Sequence, residues 1–373
     1  MKWKNRGSEF DGYWEEIKNI KAVYLFGAGI SGKTVYEKYK DKINIKGFID
    51  NDPQKQGGKH CGLNVYSLDE ILLDKSEAII TTVSSEHTKK IVNQAEKAKY
   101  RIYDMHTFLP VYSLYNYDEL VVTSISYLPT TVCNLNCKCC LNFAPYLRNK
   151  EFRKIAVLKR DIDLFFSKVD FLLLLHISGG EPFLYPNLIE LFEYLKIEHG
   201  KKIGRLETTT NGTVIPKDEL CEVLAKLGVI VTLDDYRDAI PGQADKFDKI
   251  KEKFDEFGIV YKIQKAEQWI DLLVLQGKDM SNEQAQLHFE QCNVPWQEYR
   301  NGKLYLCNYS DYASVAGLYQ TQTDEYFDFN SEFNKKELME FRLGYSQKGY
   351  VDFCKKCAGY FNNPNVVKAA EQM

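Results

Sequence analysis

Short apolar runs alternate with helix-like stretches over residues 21 to about 106. The apolar runs predict strands at 22–26, 43–49, 78–83 and 100–103, and helical periodicity predicts helices at 33–39 and 86–98. This alternation indicates a small parallel βαβ domain. We interpret Pro110 and the tyrosine- and asparagine-rich stretch to Tyr117 as a linker that leaves this domain.

A second alternation begins at Leu120. It predicts strands at 120–127, 171–177, 203–209, 229–234, 258–263 and 271–275, with helices at 157–169, 187–198, 216–227 and 244–256. The strand at 171–177 is apolar throughout, as expected of a strand that is buried on both faces. Six strands separated by helices predict a partial (β/α)6 barrel of the TIM type, although a doubly wound sheet has the same pattern.

The pattern changes from about residue 285 onwards. Gly, Asn, Tyr and Asp become frequent and the periodicity fades, so the core of this last module is thin and its cysteines must hold it together. The sequence therefore predicts an α/β protein with three domains, at 1–115, 116–285 and 286–373.

The composition excludes several classes of protein. Of the 373 residues, 44% are hydrophobic and 27% are charged, which is enough apolar material for real cores. The net charge of -3, from 49 basic and 52 acidic residues, argues against a nucleic-acid partner. The first residues contain no apolar signal region, and the longest apolar run, at 171–175, is too short to cross a bilayer. We therefore expect a cytoplasmic protein without a membrane partner.

The ten cysteines lie in two sets, with only Cys61 and Cys221 outside them. Disulfides are rare in a reducing compartment, so clustered cysteines indicate metal binding by thiolates.

The first set has the spacing Cys-x3-Cys-x2-Cys at Cys133, Cys137 and Cys140. Three thiolates on one loop can hold three corners of a 4Fe–4S cluster and leave the fourth iron open to a small molecule. Structural zinc is the alternative, with Cys139 as its fourth ligand.

The position of this loop favours the iron–sulfur cluster. The loop directly follows the first strand of the barrel-like region, at the end where such folds place their chemistry. The second strand is followed by Gly179, Gly180 and Glu181. The two glycines allow the backbone to approach a ligand closely, and Glu181 offers a carboxylate to an ammonium group.

With these two motifs the sequence resembles the radical S-adenosylmethionine (SAM) superfamily. The resemblance implies that the three cysteines hold a 4Fe–4S cluster and that SAM binds its open iron through the amino and carboxylate groups. It also implies that the Gly-Gly-Glu turn lies beside the methionine amine of SAM. In this family the reduced cluster cleaves SAM to methionine and a 5′-deoxyadenosyl radical, which abstracts a hydrogen from the substrate.

Two later strand ends resemble other SAM-contacting segments of the family. They contain Thr210 and Asn211 after the third strand and Thr232 in the fourth. Ordinary turn chemistry is the alternative explanation for both. The family usually has an aromatic residue just before the third cysteine, near the adenine, whereas this chain has Cys139 there.

The second set of cysteines lies in the last module. Cys292 and Cys307 enclose Gly302 in a Cys-x9-Gly-x4-Cys pattern, and Cys354 and Cys357 follow. Four thiolates can saturate a second 4Fe–4S cluster or a zinc ion. The spacing resembles the opening of the SPASM extension of radical SAM enzymes, in its shortened twitch form. The resemblance implies one auxiliary cluster that exchanges an electron with the substrate radical, and a purely structural cluster is the alternative.

The first domain carries a glycine loop, formed by Gly27, Gly29 and Gly32 between a strand and a helix, and Asp50 ends the next strand. Amides at a helix N-terminus can bind phosphate, and an acidic residue so placed can bind a ribose. The stretch at 47–71 resembles the Rossmann-like N-terminal domains of sugar acetyltransferases and nucleotide-sugar-modifying enzymes. The resemblance implies nucleotide or nucleotide-sugar binding, and redox use of NAD or a scaffold role are the alternatives.

The sequence thus predicts a radical SAM enzyme that dehydrogenates or epimerises a carbohydrate or a nucleotide-linked compound. Asp234 and Asp235, after the fourth strand, are candidate proton acceptors or members of a surface turn. The expected partners are a small-molecule substrate and an electron donor such as flavodoxin or ferredoxin. A radical SAM maturase of a ribosomal peptide is the alternative enzyme, and a zinc-binding interaction protein is the alternative of another class.

Overall fold

The computed structural model describes residues 1–83, 85–97, 99–240, 242–292, 296–360 and 363–373. The chain divides into two compact units, one formed by Gly7–Thr123 and the other by Met1–Arg6 together with Ser124–Met373. In the described part of the chain, no helix combines the length and the apolar character that crossing a membrane requires.

The Gly7–Thr123 unit is built around a sheet with strand order β3-β4-β2-β1-β5-β6. Its elements are α1 (Asp11–Ile17), β1 (Ala22–Phe26), α2 (Ile30–Tyr39), β2 (Asn44–Ile49), β3 (Lys59–His60), β4 (Leu63–Tyr66), a 3-10 turn (Leu68–Glu70), β5 (Glu77–Thr81), α3 (Ser85–Lys97), β6 (Ile102–Asp104), α4 (Met105–Tyr117) and β7 (Val121–Val122). Every pair in this order is parallel except the β3–β4 hairpin. All residues of β1 and β5 are buried, as in a parallel sheet that is covered on both faces.

The predicted linker at Pro110–Tyr117 is wrong, because these residues belong to helix α4. A proline inside a helix removes a backbone hydrogen bond and costs about 3 kcal/mol. Here the aromatic and aliphatic side chains around Pro110, including Phe108 and Val111, are buried in the unit. Their burial outweighs the cost of the proline, so a stretch that is rich in tyrosine serves as a packing helix.

The second unit contains a parallel sheet in which β8, β9, β10, β11 and β12 pair in chain order. Its strands are β8 (Ile125–Tyr127), β9 (Phe171–Ile177), β10 (Ile203–Thr210), β11 (Ile230–Asp234), β12 (Tyr261–Gln264), β13 (Gln268–Ile270), β14 (Tyr299–Arg300), β15 (Lys303–Tyr305), β16 (Tyr326–Asp328) and β17 (Val366–Lys368). Its α-helices are α5 (Ile155–Lys168), α6 (Leu188–His199), α7 (Asp218–Leu227), α8 (Ala244–Glu256), α9 (Asn282–Cys292), α10 (Asn308–Val315) and α11 (Lys335–Arg342). Four 3-10 turns lie at Ala144–Tyr146, Pro182–Leu184, Gly200–Lys202 and Asp352–Lys356.

The predicted α/β architecture with two parallel sheets is confirmed, and the sheet of the second unit is open in the described residues. The sixth strand predicted at 271–275 is not part of this sheet. The strand just before these residues, β13, pairs in antiparallel fashion with β17. The backbone of Leu272 and Val274 is hydrogen-bonded to the cysteine-containing turn at 356–358, so it is not available to extend the sheet.

A small antiparallel sheet, β14-β15-β16, follows α9. Its first hairpin turns at Asn301 and Gly302, whose φ angles of 52° and 73° both lie in the left-handed region. Two such residues form the turn that matches the twist of a hairpin, and Asn-Gly is its preferred sequence. Glu298 forms a parallel bridge with Ser126, so this module continues the parallel sheet beyond β8.

We expect Gly302→Ala to destabilise the protein more than Gly317→Ala. Both glycines have φ near 74°, and a left-handed alanine costs about 1–2 kcal/mol. A Cβ at Gly302 would also lie 2.6 Å from Asn330 Nδ2, whereas Gly317 faces open space. The shift of Asn330 should add about 1 kcal/mol through its hydrogen bond to Asp328. Thermal unfolding of both variants measures the difference, and equal losses would show that the turn accommodates a side chain.

Candidate functional site

The first three predicted ligands lie together on the loop after β8. The amide of Cys140 donates to the carbonyl oxygen of Cys137 at 3.3 Å, which closes a tight turn between these two residues. Burial, together with the nearby Cys140 and Cys133, raises the pKa of the Cys137 thiol to about 12 against the opposing hydrogen bond from Gln372. Thiols in such surroundings ionise only when a cation compensates the charge, as a bound metal does.

Nitrogen donors surround the three sulfurs. Gln372 Nε2 donates to Cys137 Sγ at 3.1 Å, and Asn211 Nδ2 donates to Cys133 Sγ at 3.7 Å. The backbone amides of Asn142 and Ala144 act on the Cys140 sulfur and partly oppose the rise of its pKa on burial. N–H donors stabilise the negative charge on the sulfurs of an iron–sulfur site, so the donor set fits a 4Fe–4S cluster. In the described part of the chain, no three His, Cys, Asp or Glu side chains are arranged to hold one metal ion.

Gly179 and Gly180 lie directly against the start of the cysteine loop. A Cβ on Gly179 would lie 2.4 Å from the carbonyl oxygen of Thr130, and one on Gly180 would lie 2.2 Å from that of Val132. The amide of Gly180 donates to Thr130 O at 3.0 Å. The sequence suggested that these glycines admit a ligand, and the structure adds that they admit the backbone of the cysteine loop.

Glu181 is completely buried and ties two strand ends together. Its carboxylate accepts the amide of Phe183 at 3.0 Å and that of Asn211, after β10, at 2.7 Å. Burial raises the pKa of Glu181 to about 7 in spite of these hydrogen bonds. No ion pair to Glu181 occurs among the described residues. A buried carboxylate in this state favours a cationic ligand.

The predicted SAM-contacting residues after β10 also reach the cysteine loop. Asn211 Nδ2 donates to Asn134 Oδ1 at 3.0 Å, and its carbonyl oxygen accepts from Gln243 Nε2 at 2.8 Å. The Thr210 hydroxyl accepts the amide of Gly212 at 3.4 Å. Thr232 is buried on β11, in register with Thr209 of β10.

The two candidate proton acceptors have opposite environments. Burial raises the pKa of Asp234 to about 6, and the Tyr236 hydroxyl, which donates to Asp234 Oδ2 at 2.7 Å, opposes this effect. Both oxygens of Asp235 accept from Arg237 at 2.8 Å, and these bonds lower the pKa of Asp235. The pKa of Tyr236 is raised by burial, then by Asp234, and also by Cys137 and Cys140. The Asp234–Tyr236 pair therefore lies near the cysteine loop.

Cys139 is placed in a left-handed backbone conformation, with φ of 56°. It lines a small cavity together with Phe143, Tyr146 and Asp271. The two aromatic rings lie near the site although the residue before Cys140 is not aromatic.

The second set of cysteines converges from three elements. Cys292 ends α9, and Cys307 immediately precedes α10. Cys354 lies within the 3-10 turn Asp352–Lys356, and Cys357 directly follows that turn. Burial raises the pKa of Cys354, and the charges of Cys307, Cys357 and Cys292 raise it as well. The four cysteines therefore lie near enough for their charges to interact, and their role as ligands stays a prediction.

A cavity that the sequence did not predict lies beside the Gly-Gly turn. Its wall combines Gly179 and Gly180 with residues of the last module, including Arg300 and Tyr312. The Tyr312 hydroxyl lies 3.1 Å from Glu298 Oε2, and burial raises the pKa of Glu298. Arg300, Tyr312 and Glu298 belong to no recognisable motif, so the sequence alone could not predict that they lie close together.

The glycine loop of the Gly7–Thr123 unit is held by Asp50. The Asp50 carboxylate accepts the amide of Ala28, inside the loop, at 2.9 Å. A Cβ on Gly32 would lie 2.1 Å from the carbonyl oxygen of Gly27, so this glycine is required for packing. Gly29 faces open space, with nothing within 4 Å of a Cβ. The ligand of this loop stays a prediction.

Comparison with known families identifies the central segment. A model of the radical SAM superfamily matches residues 127–257, from the end of β8 through α8. These residues, which include the Cys133–Cys140 loop, form a radical SAM domain, and enzymes of this superfamily use a 4Fe–4S cluster and SAM. No curated protein matches the chain.

Several solved structures are similar to the chain at low levels. Histidine-tagged anSMEcpe with bound AdoMet is 18% identical with a TM-score of 0.32, and the match covers 38% of this chain and 42% of that one. SuiB of Streptococcus suis is 21% identical, with a TM-score of 0.32 and coverage of 56% and 48%. BtrN in complex with AdoMet and 2-DOIA is 18% identical, with a TM-score of 0.39 and coverage of 67% and 96%. The matches to tagged anSMEcpe and to SuiB span less than half of those chains.

We expect Tyr236→Phe to move the titration of Asp234 to higher pH. The wild-type carboxyl should titrate near pH 6, and loss of the hydroxyl donor removes the larger of the two effects that oppose burial, the other being the charge of Lys262. Carbon-13 NMR of labelled aspartate measures the midpoint, with Asp234→Asn to assign the signal. Asp235→Asn is the matched control and should leave the midpoint in place. A midpoint that is unchanged or lower in Tyr236→Phe would contradict the assignment of this hydrogen bond.

Proposed function

From the radical SAM domain at residues 127–257, we propose that the protein reductively cleaves SAM and uses the resulting radical to dehydrogenate or epimerise a carbohydrate or nucleotide-linked substrate. The observation that supports this most directly is the linkage of three strand ends around Cys133, Cys137 and Cys140. The Gly-Gly turn packs on the loop, Glu181 holds the Asn211 amide, and Asn211 donates to a cysteine sulfur.

The three cysteines hold the cluster in this proposal, and Glu181 attracts the ammonium group of SAM. When bound, the cluster supplies the electron that cleaves SAM to methionine and a 5′-deoxyadenosyl radical, which abstracts hydrogen from the substrate. The chain supplies burial, because Glu181 and Thr210 are both shielded from water. Shielding strengthens the attraction of a carboxylate for an ammonium group and protects a radical from solvent.

Asp234 is the better candidate for a proton acceptor. A base works best when its pKa lies near the working pH, and the pKa of Asp234 is raised to about 6. Asp235 is held by Arg237 with a lowered pKa, which makes it a weaker base and a structural residue.

Cys292, Cys307, Cys354 and Cys357 hold an auxiliary 4Fe–4S cluster in this proposal. Arg300 and Tyr312, from the module that carries these cysteines, share the wall of a small cavity with Gly179 and Gly180, which supports a role for this module beside the first site. An electron donor such as flavodoxin or ferredoxin and a cytoplasmic setting complete the proposal. All ten cysteines, each among the described residues, are free, as a reducing compartment requires.

The Gly7–Thr123 unit supports the choice of substrate class. Gly29 precedes α2 with φ of -132°, an extended conformation that any residue adopts, and the space above it is open. A phosphate can approach the helix N-terminus there without displacing a side chain. This unit therefore binds a nucleotide or a nucleotide-sugar in our proposal.

We expect replacement of Cys133, Cys137 and Cys140 by Ala to abolish SAM cleavage and to halve the iron content. Anaerobically reconstituted wild-type protein should carry about eight irons, and the triple variant about four, because the two clusters have separate ligands. Cys61→Ala, outside both sets, is the matched control. Iron, sulfide and 5′-deoxyadenosine assays measure the outcome. Stoichiometric zinc without sulfide would favour the interaction protein and overturn the proposal.

We expect Gly29→Val to abolish nucleotide binding while SAM cleavage without substrate persists. The extended backbone of Gly29 accepts a side chain and its Cβ has no heavy atom within 4 Å, so the valine enters the space where the phosphate approaches. Gly12→Val, also in open space, is the control. Calorimetric titration of the full chain with nucleotides and nucleotide-sugars measures binding. If the wild type binds none of them at millimolar concentration, the unit is a scaffold and a peptide substrate becomes the better alternative.

A further inference from the structure

Residues 371–373 run along the cysteine loop as a short antiparallel partner. The amide of Lys138 donates to Glu371 O at 2.6 Å, and that of Met373 donates to Asn136 O at 2.9 Å. Cys137 and Gln372 form the bridge between these two bonds. The central cysteine is therefore flanked by backbone that comes from a distant part of the sequence.

The orientation of the Gln372 side chain is determined by three hydrogen bonds. The Gln372 Oε1 atom accepts the backbone amide of Asn136 at 2.8 Å. Because a backbone N–H can only donate, this bond fixes which end of the Gln372 side chain is the oxygen. Its Nε2 donates to Ala370 O at 2.7 Å and to Cys137 Sγ at 3.1 Å. An N–H group therefore points at the sulfur, and the opposite orientation would leave two donors facing each other.

The segment that carries Gln372 is anchored to the body of the unit. Strand β17 pairs with β13 just before it, and the amide of Ala369 donates to Glu267 O at 3.0 Å. Ala369 and Ala370 are buried. The backbone that carries Gln372 is thus already ordered. Directing the Gln372 N–H group at the Cys137 sulfur therefore costs less conformational entropy.

We propose that Gln372 is a positioning residue that raises the reduction potential of the cluster on Cys133, Cys137 and Cys140 through its N–H···S hydrogen bond to Cys137. Reduction adds negative charge to the cluster and its sulfurs, and a hydrogen-bond donor stabilises that charge more in the reduced state. The inference rests on the proposed function, since it requires the cluster to be held by these cysteines.

The other two sulfurs receive different donors. The Cys133 sulfur accepts the backbone amide of Leu135 at 3.5 Å and Asn211 Nδ2 at 3.7 Å, and the Cys140 sulfur is approached by backbone amides of its own loop. Gln372 is therefore a side-chain donor from outside the loop and the strand ends, although its Oε1 also accepts the Asn136 amide of the loop.

The test is a redox titration of the reconstituted full chain, monitored by electron paramagnetic resonance. Gln372→Met keeps the length of the side chain but removes the donor, and Gln372→Glu keeps an acceptor for Asn136 while it removes the donor. Glu371→Gln is the matched control, because the Glu371 side chain pairs with Lys138 at the surface and not with a sulfur. The auxiliary cluster serves as an internal reference, and the signal that changes on addition of SAM identifies the cluster of interest.

We expect both Gln372 variants to lower the potential of the SAM-responsive cluster and to leave the auxiliary one unchanged. A tenfold less favourable one-electron reduction would appear as a shift of about 59 mV. An unchanged potential in Gln372→Met overturns the inference, and so does loss of the cluster in both variants, which would make the segment a structural support. A wild-type protein that binds no SAM-responsive cluster overturns the proposed function instead.

Discussion

The candidate site depends on one backbone contact, the approach of the cysteine loop to the turn after β9. The carbonyl oxygens of Thr130 and Val132 occupy the positions that side chains on Gly179 and Gly180 would need. This contact places Glu181 beneath the loop, where its carboxylate accepts the Asn211 amide. The ends of three strands are thereby connected, so a change at either glycine would act on all of them.

Paired charges in the interior join the last module to the parallel sheet. Arg153 donates to Asp161 at 2.6 Å and also to Asn301, at the turn of the β14–β15 hairpin. Arg300, in the same hairpin, donates to Asp311 at 3.2 Å. Removing one partner from a buried pair leaves an uncompensated charge, which costs about 3–5 kcal/mol. The β14–β15 hairpin is therefore held by buried contacts to the Arg153–Asp161 pair.

Local pattern predicted the elements whose apolar residues are continuous or strongly periodic. The strands at 22–26 and 171–177 and the helix at 244–256 have the predicted bounds, because their side chains alone determine which faces are buried. The sequence did not reveal α4, since Pro110 and a run of tyrosines are also typical of loops. It did not reveal the cavity beside Arg300 or the contact between Gln372 and Cys137, which lie 235 positions apart. Such contacts depend on how helices and strands pack against one another, which the hydrophobic periodicity of the sequence does not specify.

The buried carboxyl of Glu181 lowers the stability of the folded chain at neutral pH. Burial raises the pKa of Glu181 from 4.5 to about 7. The folded chain therefore loses stability relative to the unfolded chain as the pH rises through this range. At neutral pH the cost is roughly 3 kcal/mol. An ammonium group at this carboxylate would restore that energy, whereas a neutral ligand would not, so the cost becomes selectivity. Asp50 and Asp235 show the opposite sign: hydrogen bonds lower their pKa values, and both stabilise the folded chain at neutral pH. Among these carboxyls, the sign of the shift separates Glu181, whose burial outweighs its hydrogen bonds, from Asp50 and Asp235, whose hydrogen bonds outweigh burial.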